Sequence, residues 1–141
     1  MATLSFSELA VGQQVGAKTI EFDRSSLVKY AGASGDFNPI HWNDTFAHSV
    51  GLDSVIAHGM LTMGASVTVV EELIGSDAMI ADYQTRFSRP IAVPNPGVAV
   101  VEVVAQVGAL DEDAKTARID LTVTFEGARV LAKTQVVVKF L

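Results

Sequence analysis

The chain contains no cysteine. A disulfide framework, a thiolate nucleophile and a cysteine-held zinc are all excluded by that absence. Basic residues are scarce as well: 10 Lys and Arg stand against 16 Asp and Glu, for a formal net charge of −6 and a pI near 4.9. A protein that wraps nucleic acid needs a basic face, and this balance argues against one. A few local Lys or Arg could still grip a phosphate or an acidic carrier. No run approaches the roughly 20 apolar residues that cross a bilayer. The opening MATLSFSELAVG has neither the basic start nor the apolar run of a secretory leader, so a cytoplasmic protein without a membrane partner is expected. Repeats, low-complexity tracts and linkers are missing too. What is abundant is apolar surface: 49% of the 141 residues are hydrophobic and only 18% charged, with a mean hydropathy of +0.34. That length suits one domain, residues 1–141, with a real core. So much apolar surface predicts a subunit interface.

The order of elements follows from pattern and punctuation. Gly16 to Phe22 reads as a short strand, and Asp23 or Ser25 caps a helix whose apolar side is Leu27, Val28, Tyr30 and Ala31. Ser34-Gly35 ends that helix. Pro39 biases Asn38 toward extended backbone, so residues 36–39 are not helical. A short helix is expected from Asp44, as its cap, to Val50, with Gly51 as its stop. A third helix is expected from His58-Gly59 to Ile74, closed by Gly75. Its residues are apolar or small on almost every face as far as Val70, the pattern of a buried helix. Four strands then follow: Ile80 to Phe87, Val98 to Val107, Thr116 to Phe125 and Arg129 to Phe140. The alternation of Ile119, Leu121, Val123 and Phe125 with polar neighbours is the clearest strand signal. Their close spacing predicts an antiparallel meander. The expected fold class is α+β, one antiparallel sheet wrapped around a long central helix.

Polar chemistry is concentrated in SGDFNPIHWND, Ser34 to Asp44. Asp36 and His41 lie five positions apart in a segment that Gly35 and Pro39 prevent from being one helix. A kinked segment can aim both side chains into one space, where a carboxylate and an imidazole form a general acid–base pair. The alternative is structural: Asp36 caps a turn and His41 fills a half-buried polar site. Asn38 can orient a substrate or make an Asx turn. Asp36, His41 and Asp44 match no helical or strand ligand spacing, so no metal is expected. Trp42 reads as packing, and His48 as an exposed residue without a role. The second candidate is AHGM, Ala57 to Met60, where the third helix begins. Free N–H groups there carry partial positive charge. A glycine lets a substrate approach them, which is the logic of an oxyanion hole. A plain helix start with a structural His58 is the alternative. No Gly-rich phosphate loop and no Gly-x-Ser-x-Gly elbow occurs.

YAGASGDFNPIHWND (Tyr30 to Asp44) followed by IAHGMLTMG (Ile56 to Gly64) closely resembles the MaoC-like, hydratase-2 family, and RFSRPIAVPNPG (Arg86 to Gly97) is similar to the strand and loop that follow its central helix. The resemblance covers nearly the whole chain and is nearest to the small actinobacterial type that serves as the B subunit of a (3R)-hydroxyacyl-acyl-carrier-protein dehydratase. It implies the hot-dog fold and reversible hydration of trans-2-enoyl thioesters to (3R)-3-hydroxyacyl thioesters. It implies an acyl-CoA or acyl-ACP substrate and no cofactor. The implied catalytic pair is Asp36 and His41, and the motif asparagine is Asn38. The implied carbonyl-binding backbone N–H belongs to Gly59, with His58 beside it as a further substrate contact. Thr62 and Ser66 are the nearest candidates for the serine that some members place on the central helix. The resemblance also implies pairing of subunits, as a homodimer or as a heterodimer with a related hot-dog subunit.

Two rival functions share these features. A hot-dog thioesterase would use the same carbonyl hole but needs a carboxylate aimed at a hydrolytic water. A non-catalytic acyl-binding subunit of a dehydratase pair would be expected to have lost Asp36 or His41, and neither is lost.

Overall fold

The structure, a computed structural model, describes residues 3–141. Five long strands and a two-residue strand form one antiparallel sheet around a single central helix. The elements are β1 (Gln14–Phe22), α1 (Arg24–Ser34), α2 (Asp44–Ser49), α3 (Gly59–Glu71), β2 (Ala78–Phe87), β3 (Ala99–Asp111), β4 (Thr116–Phe125), β5 (Ala128–Arg129) and β6 (Leu131–Phe140), with 3₁₀ turns at Phe6–Glu8 and Pro39–His41.

Strand order is β1-β3-β4-β6-β2, with β5 beside β4. The last three long strands form the expected meander, whereas β2 does not join it. It pairs with β6 at the far edge, Ala78 opposite Phe140 and Phe87 opposite Leu131. Period-2 alternation tells which face a residue points to and carries no information about which strand lies alongside. The last strand is also divided. Ala128–Arg129 pairs with β4, Val130 makes a bend, and β6 starts at Leu131. Strand β3 runs past the expected Val107 to Asp111, and the turn to β4 spans Glu112 to Lys115.

The core is built from one face of the sheet and one side of α3. Val101, Val103, Ala105 and Val107 from β3 are buried with Ala117, Ile119, Leu121 and Val123 from β4 and Val136 and Val138 from β6. Each valine, isoleucine or leucine among them contributes about 1.5–3 kcal/mol on burial. From α3, Thr62, Ser66, Val67, Val69 and Val70 face this layer. The expectation of a helix buried on every side is corrected: Met60 is 57% exposed and Gly64 also faces outward. The apolar surround of α3 is thus covered on one side only within the chain. The helix stops at Glu71, with Glu72 as its C-cap, and Gly75 does not close it. Leu73 turns back instead and packs its side chain against Gly16 of β1. No helix among the described residues is long and apolar enough to cross a membrane.

Helix α1 starts as its sequence dictates. The Asp23 carboxylate accepts from Ser26 N–H while the Ser26 hydroxyl accepts from Asp23 N–H, a reciprocal capping box. It ends at Gly35, which takes the left-handed conformation (φ 77°) that a Cβ would oppose. The cap of α2 is Asn43, whose Oδ1 accepts from Phe46 N–H, and not Asp44. Asp44 is released by this for a longer-range task.

Candidate active site

Three segments distant in sequence are laced together at one end of α3. Ile56 N–H donates to Ile40 C=O, Ala57 N–H to Ile91 C=O, and Val93 N–H to Val55 C=O. The strip 55–57 thus lies between the polar motif and the segment after β2. Arg24 ties the same region to α1. Its guanidinium grips both Asp44 carboxylate oxygens at 2.9 and 3.0 Å and donates through Nε to Val93 C=O. This bidentate pair holds the Asp44 carboxyl below the usual carboxylate range.

The motif itself is a chain of side-chain-to-backbone bonds. Asp36 Oδ1 accepts from Asn38 N–H at 3.1 Å, and Asn38 Oδ1 accepts from Ile40 N–H at 3.2 Å. Asn38 is therefore the N-cap of the 3₁₀ turn, the Asx-turn alternative, and its side chain is not among those lining the cavity described below. Trp42, exposed on the surface, donates its indole N–H to Phe37 C=O. That bond pins the loop next to Asp36, a task that packing arguments from sequence missed.

His41 is buried and its Nδ1 lies 2.7 Å from Ile56 C=O. A carbonyl can only accept, so Nδ1 carries the hydrogen and Nε2 presents a lone pair. Nε2 is 3.9 Å from Asp36 Oδ2, and the Asp36 side chain is half exposed. A base lone pair and a free carboxylate oxygen thus sit side by side at the cavity wall. That cavity, about 400 Å³, is lined by Asp36, His41, His58, Gly59 and otherwise mainly by apolar side chains, among them Ile56, Met60, Phe87 and Leu131.

Gly59 is the first residue of α3. His58, the N-cap, offers no side-chain cap to the first turn. The first main-chain bond of the helix runs from Thr62 N–H to His58 C=O, so the N–H groups before it have no intrahelical acceptor. A glycine here allows a close approach. A Cβ on Gly59 would stand 2.8 Å from the Phe87 ring. The β2–β6 register slips between Gln84 and Arg86, opposite Lys133 in the left-handed region at φ 50°. Such bulges re-aim side chains, and beyond this one the Phe87 ring comes to rest on the helix start. Sequence reasoning missed Phe87, which lies 28 positions from Gly59.

His58 is 1% exposed. Its Nε2 donates to Asp36 C=O at 3.1 Å. Its ring stacks on His41 at 3.8 Å between centroids, and Tyr30 meets it edge-on at 4.7 Å. Burial, the largest influence, pushes its pKa below the ordinary histidine value; the bond to Asp36 opposes this. It lines the cavity wall, with Nε2 engaged by Asp36 C=O and Nδ1 enclosed without a partner. Thr62 and Ser66 are likewise occupied, their hydroxyls donating to His58 C=O and Thr62 C=O. Asp36, His41 and His58 offer ligand atoms within 4.8 Å of one another. The two rings, however, are stacked, with planes 21° apart and centroids 3.8 Å apart, so one ion cannot lie in both ring planes, as ligation by both imidazoles would require.

The domain model described as "MaoC like domain" matches residues 6–125. The chain is 36% identical over 87 residues to 3-hydroxyacyl-thioester dehydratase X of Mycobacterium tuberculosis, covering 61% of this chain and 30% of that protein. It is 33% identical over 104 residues to an (R)-specific enoyl-CoA hydratase of Rhodospirillum rubrum, covering 72% of this chain and 71% of the other. Among solved structures, a MaoC-like dehydratase superposes with a TM-score of 0.91 at 32% identity, over 99% of this chain and 43% of that one. The chain thus spans less than half the length of two of these three. The antiparallel sheet around one helix is the hot-dog fold of these relatives, and the chain belongs to the MaoC-like domain family.

Proposed function

We propose that the protein is a hydro-lyase that interconverts trans-2-enoyl and (3R)-3-hydroxyacyl thioesters of fatty acid metabolism. The observation that carries this is the convergence of the His41 Nε2 lone pair, the Asp36 carboxylate 3.9 Å away and the start of α3 on one apolar cavity. Hydration needs one group to handle a water, one to handle the α-proton, and a seat for the carbonyl oxygen. The relatives named as hydratases and dehydratases support the same chemistry.

In the dehydration direction the thioester carbonyl docks at the Gly59 N–H. Charge building on that oxygen is stabilised by the unpaired N–H and by the helix end, worth roughly half an elementary charge. His41 Nε2 takes the α-proton as the Cβ–O bond breaks. Asp36 holds the departing hydroxyl. The imidazolium so formed gives this proton to the departing oxygen, so Cα–H and Cβ–OH are lost together as one water and no net proton is exchanged. Hydration is the reverse, with the two side chains gripping the attacking water. Asn38 acts through the turn it caps.

Function as a pair of subunits is part of the reading. Met60, Met79 and Phe87 are large apolar residues left exposed beside β2, an edge strand, and on the open side of α3. A second copy or a related hot-dog subunit covers them. The carrier is coenzyme A or acyl carrier protein, which end in the same pantetheine thiol.

Crotonyl-CoA given to the purified protein tests the function. Loss of enoyl absorbance with no free thiol is expected. Thiol release without hydration would make the protein a thioesterase. Inactivity alone, restored by a second hot-dog subunit, would make it half of a pair.

A further inference from the structure

Among the described residues, one buried side-chain polar atom lacks a partner: His58 Nδ1. The ring that carries it touches both groups assigned to the chemistry. Its Nε2–H holds Asp36 by the backbone carbonyl, and its face lies on His41. The tautomer is fixed by this, because the carbonyl accepts and the hydrogen must be on Nε2. Protonating Nδ1 would bury a donor with no acceptor and set a cation against His41. Leaving it bare costs the protein a buried, unsatisfied acceptor. A residue kept at such a cost, and closed off from the cavity at that nitrogen, acts through its neighbours.

We propose that His58 is a positioning residue: its single hydrogen bond, to the Asp36 backbone carbonyl, sets the Asp36 carboxylate against His41 Nε2. This extends the proposed hydratase reading and rests on it for its kinetic consequences. The ionisable groups around the ring are Asp36 from the loop, His41 from the 3₁₀ turn and Tyr30 from α1, with Arg89 also lining the cavity. Of these, the Asp36 carboxylate is the one whose distance to His41 depends on the His58 bond.

The test separates the bond from the ring and from simple stability. The Gln side chain reaches as far as His Nε2 and keeps an N–H donor, whereas Asn falls short and Phe keeps the ring without the donor. Expected for crotonyl-CoA hydration is a kcat within about 5-fold of the parent in His58→Gln, and about 100-fold down in His58→Asn and His58→Phe, with KM little changed. The second readout needs no substrate. The chain has 3 histidines, and proton NMR of their ring carbons follows His41 directly. At one fixed pH the His41 ring signals are expected to differ between His58→Asn and His58→Gln, because both lose the stacked ring and only Gln keeps the bond to Asp36. A residue that merely stabilises the fold would lower the melting temperature and leave the two variants' His41 signals alike. Equal kcat in the Gln and Asn variants, or His41 signals that coincide in the two, overturns the proposal, and this pair decides the matter even where the Phe variant does not fold. An inactive parent with the expected NMR difference would overturn the hydratase reading and leave the positioning role standing.

Discussion

The sheet and the site-bearing loops of this domain are held by different physics. In β3, β4 and β6 the inward positions are nearly all valine, isoleucine, leucine or alanine, most of them fully buried. Burial is non-directional, so each contact shares its load with many neighbours. Between Gly35 and Gly59 the buried side chains are few: Ala47, Val55, Ala57 and the two imidazoles His41 and His58. There, single hydrogen bonds aimed at backbone carbonyls fix each group: His41 on Ile56, His58 on Asp36, Trp42 on Phe37. A loss in the sheet should therefore be graded and felt as stability. A loss in the loops should be discrete and felt as activity.

The largest effect should come from the loops. Asp36→Asn and His41→Gln are each expected to lower kcat/KM for crotonyl-CoA by about 10² to 10⁴-fold, the range for removing a positioned acid or base. Asp36 is half exposed, so Asp36→Asn should leave the unfolding free energy within about 0.5 kcal/mol. Turnover near the parent's in either variant would remove the assignment.

The matching break in the sheet is Ile119→Ala. Ile119 is fully buried at the centre of β4, and such truncations cost about 2–5 kcal/mol through lost transfer energy and the cavity left behind. Urea unfolding should show that loss while kcat per folded molecule is unchanged. A fall in kcat beyond 3-fold with the protein still folded would mean that the two regions are mechanically coupled.

The same division decides what the sequence could reveal. Local rules were legible: the Asp23 cap, the Gly35 stop, the Pro39 break and the alternation of β4 all act over a few residues. The motif pair was legible because Asp36 and His41 are near neighbours with a turn between them. Non-local facts were not. Nothing in Ile80 to Phe87 tells it to pair with β6 rather than β3, since both partners offer the same alternation. The Arg24–Asp44 clamp spans 20 positions, and its consequence, a shift of the cap from Asp44 to Asn43, could not be seen without it. His58 illustrates the limit most sharply. Sequence left it open between a plain helix start and a substrate contact, and only the fold shows its ring lodged against Asp36 and His41.

The smallest expected effect concerns pH, and it too divides the molecule. The Asp23 carboxyl is lowered to about 2, foremost by the Ser25 hydroxyl and then by the N–H and hydroxyl of Ser26. The unfolded chain takes up that proton near pH 3.9. Between those values the unfolded state binds more protons, so the stability Asp23 confers is full above about pH 4 and is lost as pH falls toward 2. Tyr83 behaves oppositely. Its hydroxyl donates to Met63 C=O, joining β2 to α3, and burial raises its pKa to about 12. An unfolded tyrosine ionises near 10, so this contribution is lost as pH rises from about 10 to 12. Acid should thus loosen the cap of α1, on the loop side, and alkali the contact between sheet and central helix. Urea midpoints collected from pH 5 down to 2 should fall less steeply in Asp23→Asn than in the parent, and those from pH 9 to 12 less steeply in Tyr83→Phe. Parallel slopes for Asp23→Asn and the parent would show that the reciprocal cap does not carry the acid sensitivity of the loop side, and that the Arg24–Asp44 clamp is the next group to remove.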